Sequence, residues 1–186
     1  TEALQRIKAR IENLNQVINV DHKENEGKLL ISKGNVSVKL EVNMIMRGEI
    51  SPPLTMELCK KAQNEFDMYC EMLIVPLGQL YGGKICAALD RQHPRDLFDV
   101  KYILENEGFS DEIKRGLLYC LLSSARPIHE LLKPNLKDQR DAMTNQFDGM
   151  TDEPFTNEDY EATRTKLVET VLNNLSEEDK EFLLDF

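Results

Sequence analysis

Residues 81–100 carry the densest group of charged side chains that could take part in chemistry. Five of them recur at helical spacings: Lys84, Arg91, Arg95, Asp96 and Asp99. Cations can hold a triphosphate, and carboxylates can bind a metal ion or accept a proton. This segment is therefore the first candidate for a functional site.

The spacings predict which of these side chains share a helix face. Lys84 and Arg91 are seven residues apart, or two helical turns, so they present their charges along one face if the helix reaches Arg91. Asp99 follows Arg95 by four residues and Asp96 by three, which places a base and two carboxylates on one side of the next helix. The alternative is a set of ion pairs on the helix surfaces, because Arg and Asp are common near helix starts.

The elements that must position this segment are helices from residue 77 onward. Apolar residues recur there at roughly helical intervals: Leu80, Ile85, Leu89, Leu97, Val100, Ile103 and Leu104. Pro94 lies near a predicted helix start and Gly108 near its end. Further helices are predicted at residues 111–123, 137–147, 157–173 and 176–185.

The first part of the chain is predicted to contain strands. The predicted elements are a helix at residues 3–18, a strand at 28–31, a turn at 32–35, a strand at 36–43 and a buried strand at 72–75. The strand at 36–43 alternates strictly, so one set of its side chains is expected to face a core: Val36, Val38, Leu40 and Val42.

These patterns predict the α+β fold class, with a small β-hairpin or sheet portion followed by a helical bundle. The predicted domains are residues 1–76, which hold the α/β portion, and residues 77–186, which are helical and carry the charged motif. Loops are predicted at residues 21–27, 47–55 and 148–156.

Composition limits the class of protein. The chain has 186 residues, of which 41% are hydrophobic, enough to build a sizeable core. Its apolar runs fall far short of the roughly 20 residues that a membrane span requires. We therefore expect a soluble protein of the cytoplasm that makes no contact with a membrane.

The charge is concentrated at one end of the chain. The net charge is −10, and residues 151–186 hold 11 acids against three bases, a net of −8. This balance argues against general coating of DNA but allows a local basic pocket. Four cysteines and three histidines show no metal-ligand spacing, so a zinc site is not expected.

The charged motif resembles one in a known family. The run Lys84-x6-Arg91-x3-Arg95-Asp96-x2-Asp99 is similar to the C-terminal motif of the AbiEii/AbiGii nucleotidyltransferase toxin family, within the DNA polymerase beta-like nucleotidyltransferase superfamily. The hairpin that contains residues 38–42 and the later helices occur in the order expected of that fold, so the resemblance covers most of residues 1–150. It implies an abortive-infection toxin of a toxin–antitoxin system, with an antitoxin as a possible partner.

The resemblance also implies an activity and roles for individual residues. Such enzymes transfer a nucleotide from a nucleoside triphosphate to an RNA or protein acceptor with Mg²⁺. Lys84 is then the candidate for the triphosphate, Arg91 and Arg95 contact phosphate or stabilise the motif, and Asp96 is an essential carboxylate and metal ligand. Glu41 is a second catalytic and metal-binding candidate, with an exposed strand glutamate beside Lys39 as the alternative.

Two further expectations concern the rest of the site. Asp99 is expected either to join it or to orient Arg95 from one turn away. Glu41 is expected to converge with Lys84 and Asp96 on one concave surface.

The sequence departs from the family at one point. The family's strand with two closely spaced aspartates does not occur here, since Asp21 stands alone. Either an N-terminal segment lies outside this chain or this relative lacks metal binding, and residues 1–186 alone are expected not to transfer nucleotides. Three hypotheses remain open: part of a nucleotidyltransferase, a non-catalytic binding module with the same fold that contacts an antitoxin or RNA, and a purely structural helical protein.

Overall fold

The structure is a computed structural model that describes residues 2–14, 17–42 and 48–185. The chain divides into two compact units, Thr1–Arg47 and Gly48–Phe186. Each unit has its own apolar core, and the candidate motif of α3 and α4 described below belongs entirely to the second unit.

The first unit is a helix on a three-stranded antiparallel sheet. Its elements are α1 (Glu2–Leu14), β1 (Asn19–Lys23), β2 (Lys28–Lys33) and β3 (Val36–Glu41), in the sheet order β1-β2-β3. β2 and β3 form a hairpin whose turn contains Gly34 at a φ of +58°, a conformation that glycine adopts without strain. Leu4 of α1, Val20 of β1 and Leu29 of β2 form the buried centre of this unit.

Three expectations for the first unit are corrected. The segment predicted as a loop at 21–27 contains most of β1 and a short 3₁₀ turn. The helix predicted to reach residue 18 is described as Glu2–Leu14, residues 15 and 16 lie outside the described residues, and residues 17 and 18 are not helical. Of the alternating valines, Val36 and Val38 are exposed, whereas Leu40 contacts the core formed with α1. The alternation located the strand correctly, but α1 covers only part of its apolar row.

The second unit begins with a two-stranded antiparallel ribbon. β4 (Leu54–Glu57) pairs with β5 (Glu71–Ile74), and the short helix α2 (Lys60–Phe66) connects them. The strand predicted at 72–75 is therefore present, but the prediction that it is buried is wrong, because Met72 and Leu73 are exposed. No second apolar layer covers these two side chains within the described residues.

The rest of the second unit is helical. Its helices are α3 (Leu77–Arg91), α4 (Pro94–Asn106), α5 (Asp111–Ser123), α6 (Ile128–Leu132), α7 (Arg140–Ala142), α8 (Asn157–Asn174) and α9 (Glu177–Asp185), and a π-helical turn (Met143–Phe147) follows α7. Side chains cap four of the described helices: the imidazole of His93 accepts from the Arg95 N–H, and the Ser110, Thr156 and Ser176 hydroxyls act likewise at α5, α8 and α9. Each cap supplies an acceptor for a backbone N–H that has no partner within its own helix.

The core of the second unit depends on close contact between α3 and α5. Buried side chains of α3, α4, α5, α6 and α8 form one cluster, including Leu89, Leu97 and Leu117. A Cβ on Gly116 of α5 would lie 2.0 Å from the carbonyl oxygen of Gly78, and one on Gly82 would lie 2.3 Å from the carbonyl carbon of Gly116. The glycines therefore let the two helix backbones touch, which fixes where α3 lies.

The α+β class is confirmed, with strands preceding a helical bundle. The helices at 111–123, 157–173 and 176–185 and the loop at 148–156 are also confirmed to within a residue at their ends, whereas the helix predicted at 137–147 begins only at Arg140. The domain boundary between residues 76 and 77 stays a prediction. No helix in the described ranges is long and apolar enough to cross a membrane.

The contact between α3 and α5 yields a stability test. We expect Gly116→Ala to lower the free energy of unfolding by about 1–3 kcal/mol or more, because the added methyl group meets backbone that cannot move aside. Gly83→Ala on α3 is the matched control, since its Cβ would lie an ordinary 3.6 Å from Cys120 Sγ. Urea unfolding should show no loss for the control, and an equal loss in both variants would contradict the interpretation.

Candidate functional site at the junction of α3 and α4

The candidate motif lies where α3 ends and α4 begins. α3 does continue to Arg91, as the spacing argument required, and Gln92 then adopts a left-handed conformation with a φ of 53°. His93 caps the next helix and Pro94 occupies its first turn. Two residues thus join the helices, and the last turn of α3 lies beside the first turn of α4.

Arg91 and Asp96 form an ion pair across this corner. The Arg91 Nη2 donates to Asp96 Oδ1 at 2.7 Å. The Asp96 side chain is only 9% exposed, whereas the Arg91 side chain is mostly exposed. The second carboxylate oxygen, Asp96 Oδ2, is buried and has no hydrogen-bond partner within the described residues. Buried polar atoms are rarely left this way, so Oδ2 keeps an unused capacity to accept a hydrogen bond.

Lys84 and Asp99 form a second pair between the same helices. The distance from Lys84 Nζ to Asp99 Oδ2 is 2.6 Å, and the two side chains are 48% and 34% exposed. The expectation that Asp99 orients Arg95 is therefore wrong, because Asp99 binds the lysine of the neighbouring helix instead. The alternative to a functional site was a set of ion pairs on the helix surfaces. Such ion pairs do exist, but they join two helices rather than lying along one.

Arg95, unlike Arg91 and Lys84, is not paired with a carboxylate among the described residues. It is exposed on the first turn of α4, and its guanidinium makes no ion pair or hydrogen bond with the part of the chain that the structure describes. A guanidinium with its donors free can bind a phosphate through two parallel hydrogen bonds. Lys84, by contrast, would have to exchange Asp99 for a phosphate.

Glu41 lies in the first unit, on β3. Its Oε1 is 3.0 Å from the Lys39 ammonium, and its side chain is half exposed. This environment matches the alternative of an exposed strand glutamate beside Lys39. Its expected convergence with Lys84 and Asp96, and its role as a catalytic carboxylate, stay predictions.

The described residues do not form a metal centre by themselves. No group of three or more His, Cys, Asp or Glu side chains in residues 2–14, 17–42 and 48–185 is arranged to hold a metal ion. Asp96 offers a single free oxygen, whereas Mg²⁺ prefers six oxygen ligands, usually with one or two protein carboxylates among them. The roles of Asp96 and Glu41 as metal ligands therefore stay predictions.

Cysteine nucleophiles are not favoured near the motif. Burial raises the pKa of the Cys86 thiol on α3 to about 12. Burial also raises the pKa of Cys120 on α5. Both thiols are therefore protonated at neutral pH, and the protonated form is a poor nucleophile. The polar chemistry of this region belongs to the charged residues of α3 and α4.

One residue of the corner was missed from sequence. Gln92 is 1% exposed and lies between Arg91 and Asp96 along the chain, but no spacing rule gave it a role. The available signal was its place after a helix end and two residues before Pro94, where the chain must turn sharply. Tyr160 and Arg164 of α8 reach the same corner and were also missed.

Comparison with protein families gives a match to a described family. The family described as "Nucleotidyl transferase AbiEii toxin, Type IV TA system" matches residues 1–185, which include both units and the whole motif at the α3–α4 corner. Comparison with curated proteins and with solved structures gives no match.

The two ion pairs should respond differently to salt. Asp99→Asn is expected to lower the free energy of unfolding by at most about 1 kcal/mol at low salt, and the loss should shrink near 1 M salt because both partners are exposed. Asp96→Asn should show a weaker salt dependence, since the Asp96 carboxylate is buried. Urea unfolding at both salt concentrations measures this, with Asp148→Asn as control, since Asp148 is exposed and makes no ion pair with the described residues. Equal salt dependence in the Asp96 and Asp99 variants would contradict the difference in burial.

Proposed function

The chain belongs to the AbiEii nucleotidyltransferase toxin family of type IV toxin–antitoxin systems, and on that premise we propose that it transfers a nucleotide from a nucleoside triphosphate to an acceptor. The observation that carries the proposal is the state of Asp96. One oxygen of this buried carboxylate is held by Arg91, and the other has no partner among the described residues. A carboxylate kept in this state has capacity for a ligand.

The cations of the motif would bind the triphosphate. Phosphoryl transfer depends mostly on positioning and on neutralising the charge of the phosphates. Arg95 has its donors free for a phosphate, and Lys84 adds a point charge once a phosphate replaces Asp99. Arg91 remains on Asp96 and keeps the carboxylate in place.

Asp96 would act on the acceptor. Once an acceptor hydroxyl lies against this oxygen, the carboxylate can orient the hydroxyl and accept its proton, while the hydroxyl oxygen attacks the α-phosphorus and pyrophosphate leaves. The acceptor would be an RNA or a protein, since both carry hydroxyl groups. A cognate antitoxin is the expected macromolecular partner in a system of this type.

A second candidate is a non-catalytic binding module that uses the same cations. It is favoured by the lack of a metal-binding cluster within the described residues. A purely structural role for the motif is less consistent with Asp96, because a structural ion pair would normally leave no buried oxygen without a partner. Nucleotide binding without transfer would identify the binding module.

Nucleotide binding is the first test. Lys84→Ala should weaken binding of a nucleoside triphosphate roughly tenfold, because a charge-assisted contact with phosphate is lost. Asp99→Asn should not weaken binding, since it frees Lys84 from its ion pair. Lys101→Ala is the matched control, because Lys101 lies on α4 but pairs with Asp159 of α8. Calorimetry at low salt measures all four proteins, and equal affinity of the Lys84→Ala protein would remove Lys84 from the site.

Transfer itself is the second test. In the protein expressed from its complete gene, Asp96→Ala should reduce incorporation of labelled nucleotide into RNA or protein by roughly a hundredfold or more, because the proton acceptor is lost. Asp111→Ala, an exposed carboxylate on α5, serves as control. The same assay on residues 1–186 tests the expectation that this chain alone is inactive. Full incorporation by the Asp96→Ala protein would refute the assigned role.

A further inference from the structure

The corner between α3 and α4 is held by a buried glutamine in an unusual conformation. Gln92 has a φ of 53° and is 1% exposed. A residue other than Gly, Asn or Asp in the left-handed region costs about 1–2 kcal/mol, so surrounding contacts must stabilise it. Those contacts come from the segment before α7 and from α8.

The side-chain amide of Gln92 is bound at both ends. Its Nε2 donates to the carbonyl oxygen of Asn135 at 2.7 Å, and its Oε1 accepts from the Lys137 N–H at 3.1 Å. Both partners are backbone groups two residues apart in a segment without regular secondary structure. The amide therefore ties the corner to that segment in a single orientation.

Two side chains of α8 bind the corner from the other side. The Tyr160 hydroxyl donates to the Gln92 carbonyl oxygen at 2.8 Å. The Arg164 Nη1 donates to the Lys137 carbonyl oxygen at 2.7 Å and lies 3.3 Å from Gln92 Oε1. Burial raises the pKa of Tyr160, so its hydroxyl remains a donor at neutral pH. Glu161 pairs with the Arg164 guanidinium, which is otherwise buried.

The end of α3 just before Gln92 is also held. Arg126 Nη1 and Lys137 Nζ each donate to the Asp90 carbonyl oxygen at 2.9 Å, and Gln139 Nε2 donates to the Arg91 carbonyl oxygen at 3.2 Å. The carbonyl oxygen of Arg91 is thus bound, as are those of Asp90 before it and of Gln92 after it. Because this backbone is held, the Arg91 side chain extends toward Asp96 from a fixed position.

We propose that Gln92 is a positioning residue, which holds Arg91 against Asp96 Oδ1 and thereby leaves Oδ2 free for the acceptor. The proposal rests on the function proposed above for Asp96. α8 contributes no side chain to the motif itself, yet through Tyr160 and Arg164 it supports the angle at which α3 meets α4. If the corner relaxed, Arg91 would lose its approach to Asp96 while both helices remained folded.

The chain offers a matched control for this role. Gln79, near the start of α3, is also 1% exposed, and its amide also joins two backbone groups: Nε2 donates to the Gly48 carbonyl oxygen and Oε1 accepts from the Ile50 N–H, both at 3.0 Å. Loss of the paired amide hydrogen bonds of either glutamine should lower the free energy of unfolding by a similar amount. Only loss of the Gln92 hydrogen bonds should change the position of the Arg91 side chain against Asp96.

The first experiment follows the Arg91 side chain directly. In Gln92→Asn the left-handed turn remains accessible, because asparagine tolerates that conformation, but the shorter amide cannot bridge Asn135 and Lys137. Nuclear magnetic resonance of the arginine side chains should show the Arg91 N–H signal moving toward its position in Asp96→Asn. Gln79→Asn should leave that signal unchanged. An unmoved signal in Gln92→Asn, or an equal shift in Gln79→Asn, would overturn the proposal.

The second experiment measures coupling in nucleotide transfer to the acceptor. Gln92→Asn should lower incorporation of labelled nucleotide roughly three- to tenfold, and Arg91→Gln should cost much less in the Gln92→Asn background than in the parent protein. Fully additive effects would overturn the proposal. If the parent protein bound no nucleotide, the proposed function would fail, and the Arg91 signal would still decide the role of Gln92. Should Gln92→Asn not fold, Tyr160→Phe removes one hydrogen bond to the corner and takes its place in both experiments.

Discussion

A helix that ends inside a protein leaves its last carbonyl groups in need of donors, and α3 meets this constraint at Asp90, Arg91 and Gln92. The donors come from three separate places in the sequence: Arg126, the segment around Lys137 and α8. This convergence fixes the corner at which α4 begins. The ion pairs of the motif depend on that corner, because a small change in the angle between the helices would separate Arg91 from Asp96.

The other end of α3 is fixed by a different kind of contact. Gly78 and Gly82 let α3 lie against Gly116 of α5 at backbone distance, so α3 cannot rotate without a clash. Since α3 is held at both ends, the directions in which it presents Lys84 and Arg91 are fixed as well. The site thus combines cations in defined positions with one buried carboxylate, which suits a reaction that depends on positioning and charge neutralisation.

Family membership and local geometry contribute different parts of the functional argument. The family match spans both units and identifies a nucleotidyltransferase-like toxin. The geometry of the second unit adds that Asp96 has an oxygen without a partner among the described residues and that Lys84 is held by Asp99. In the first unit, Glu41 is bound to Lys39, so its part in catalysis rests on the resemblance alone.

The sequence by itself determined the longer helices of the second unit and the location of the motif, but not α2 or α6. Apolar spacing, Pro94 and Gly108 act locally, so they could be read directly. Only the tertiary structure decided which carboxylate each cation meets, that Val36 and Met72 are exposed, and that Gln92 supports the corner. These outcomes depend on distances between segments far apart in sequence, and periodicity within one segment carries no information about such distances.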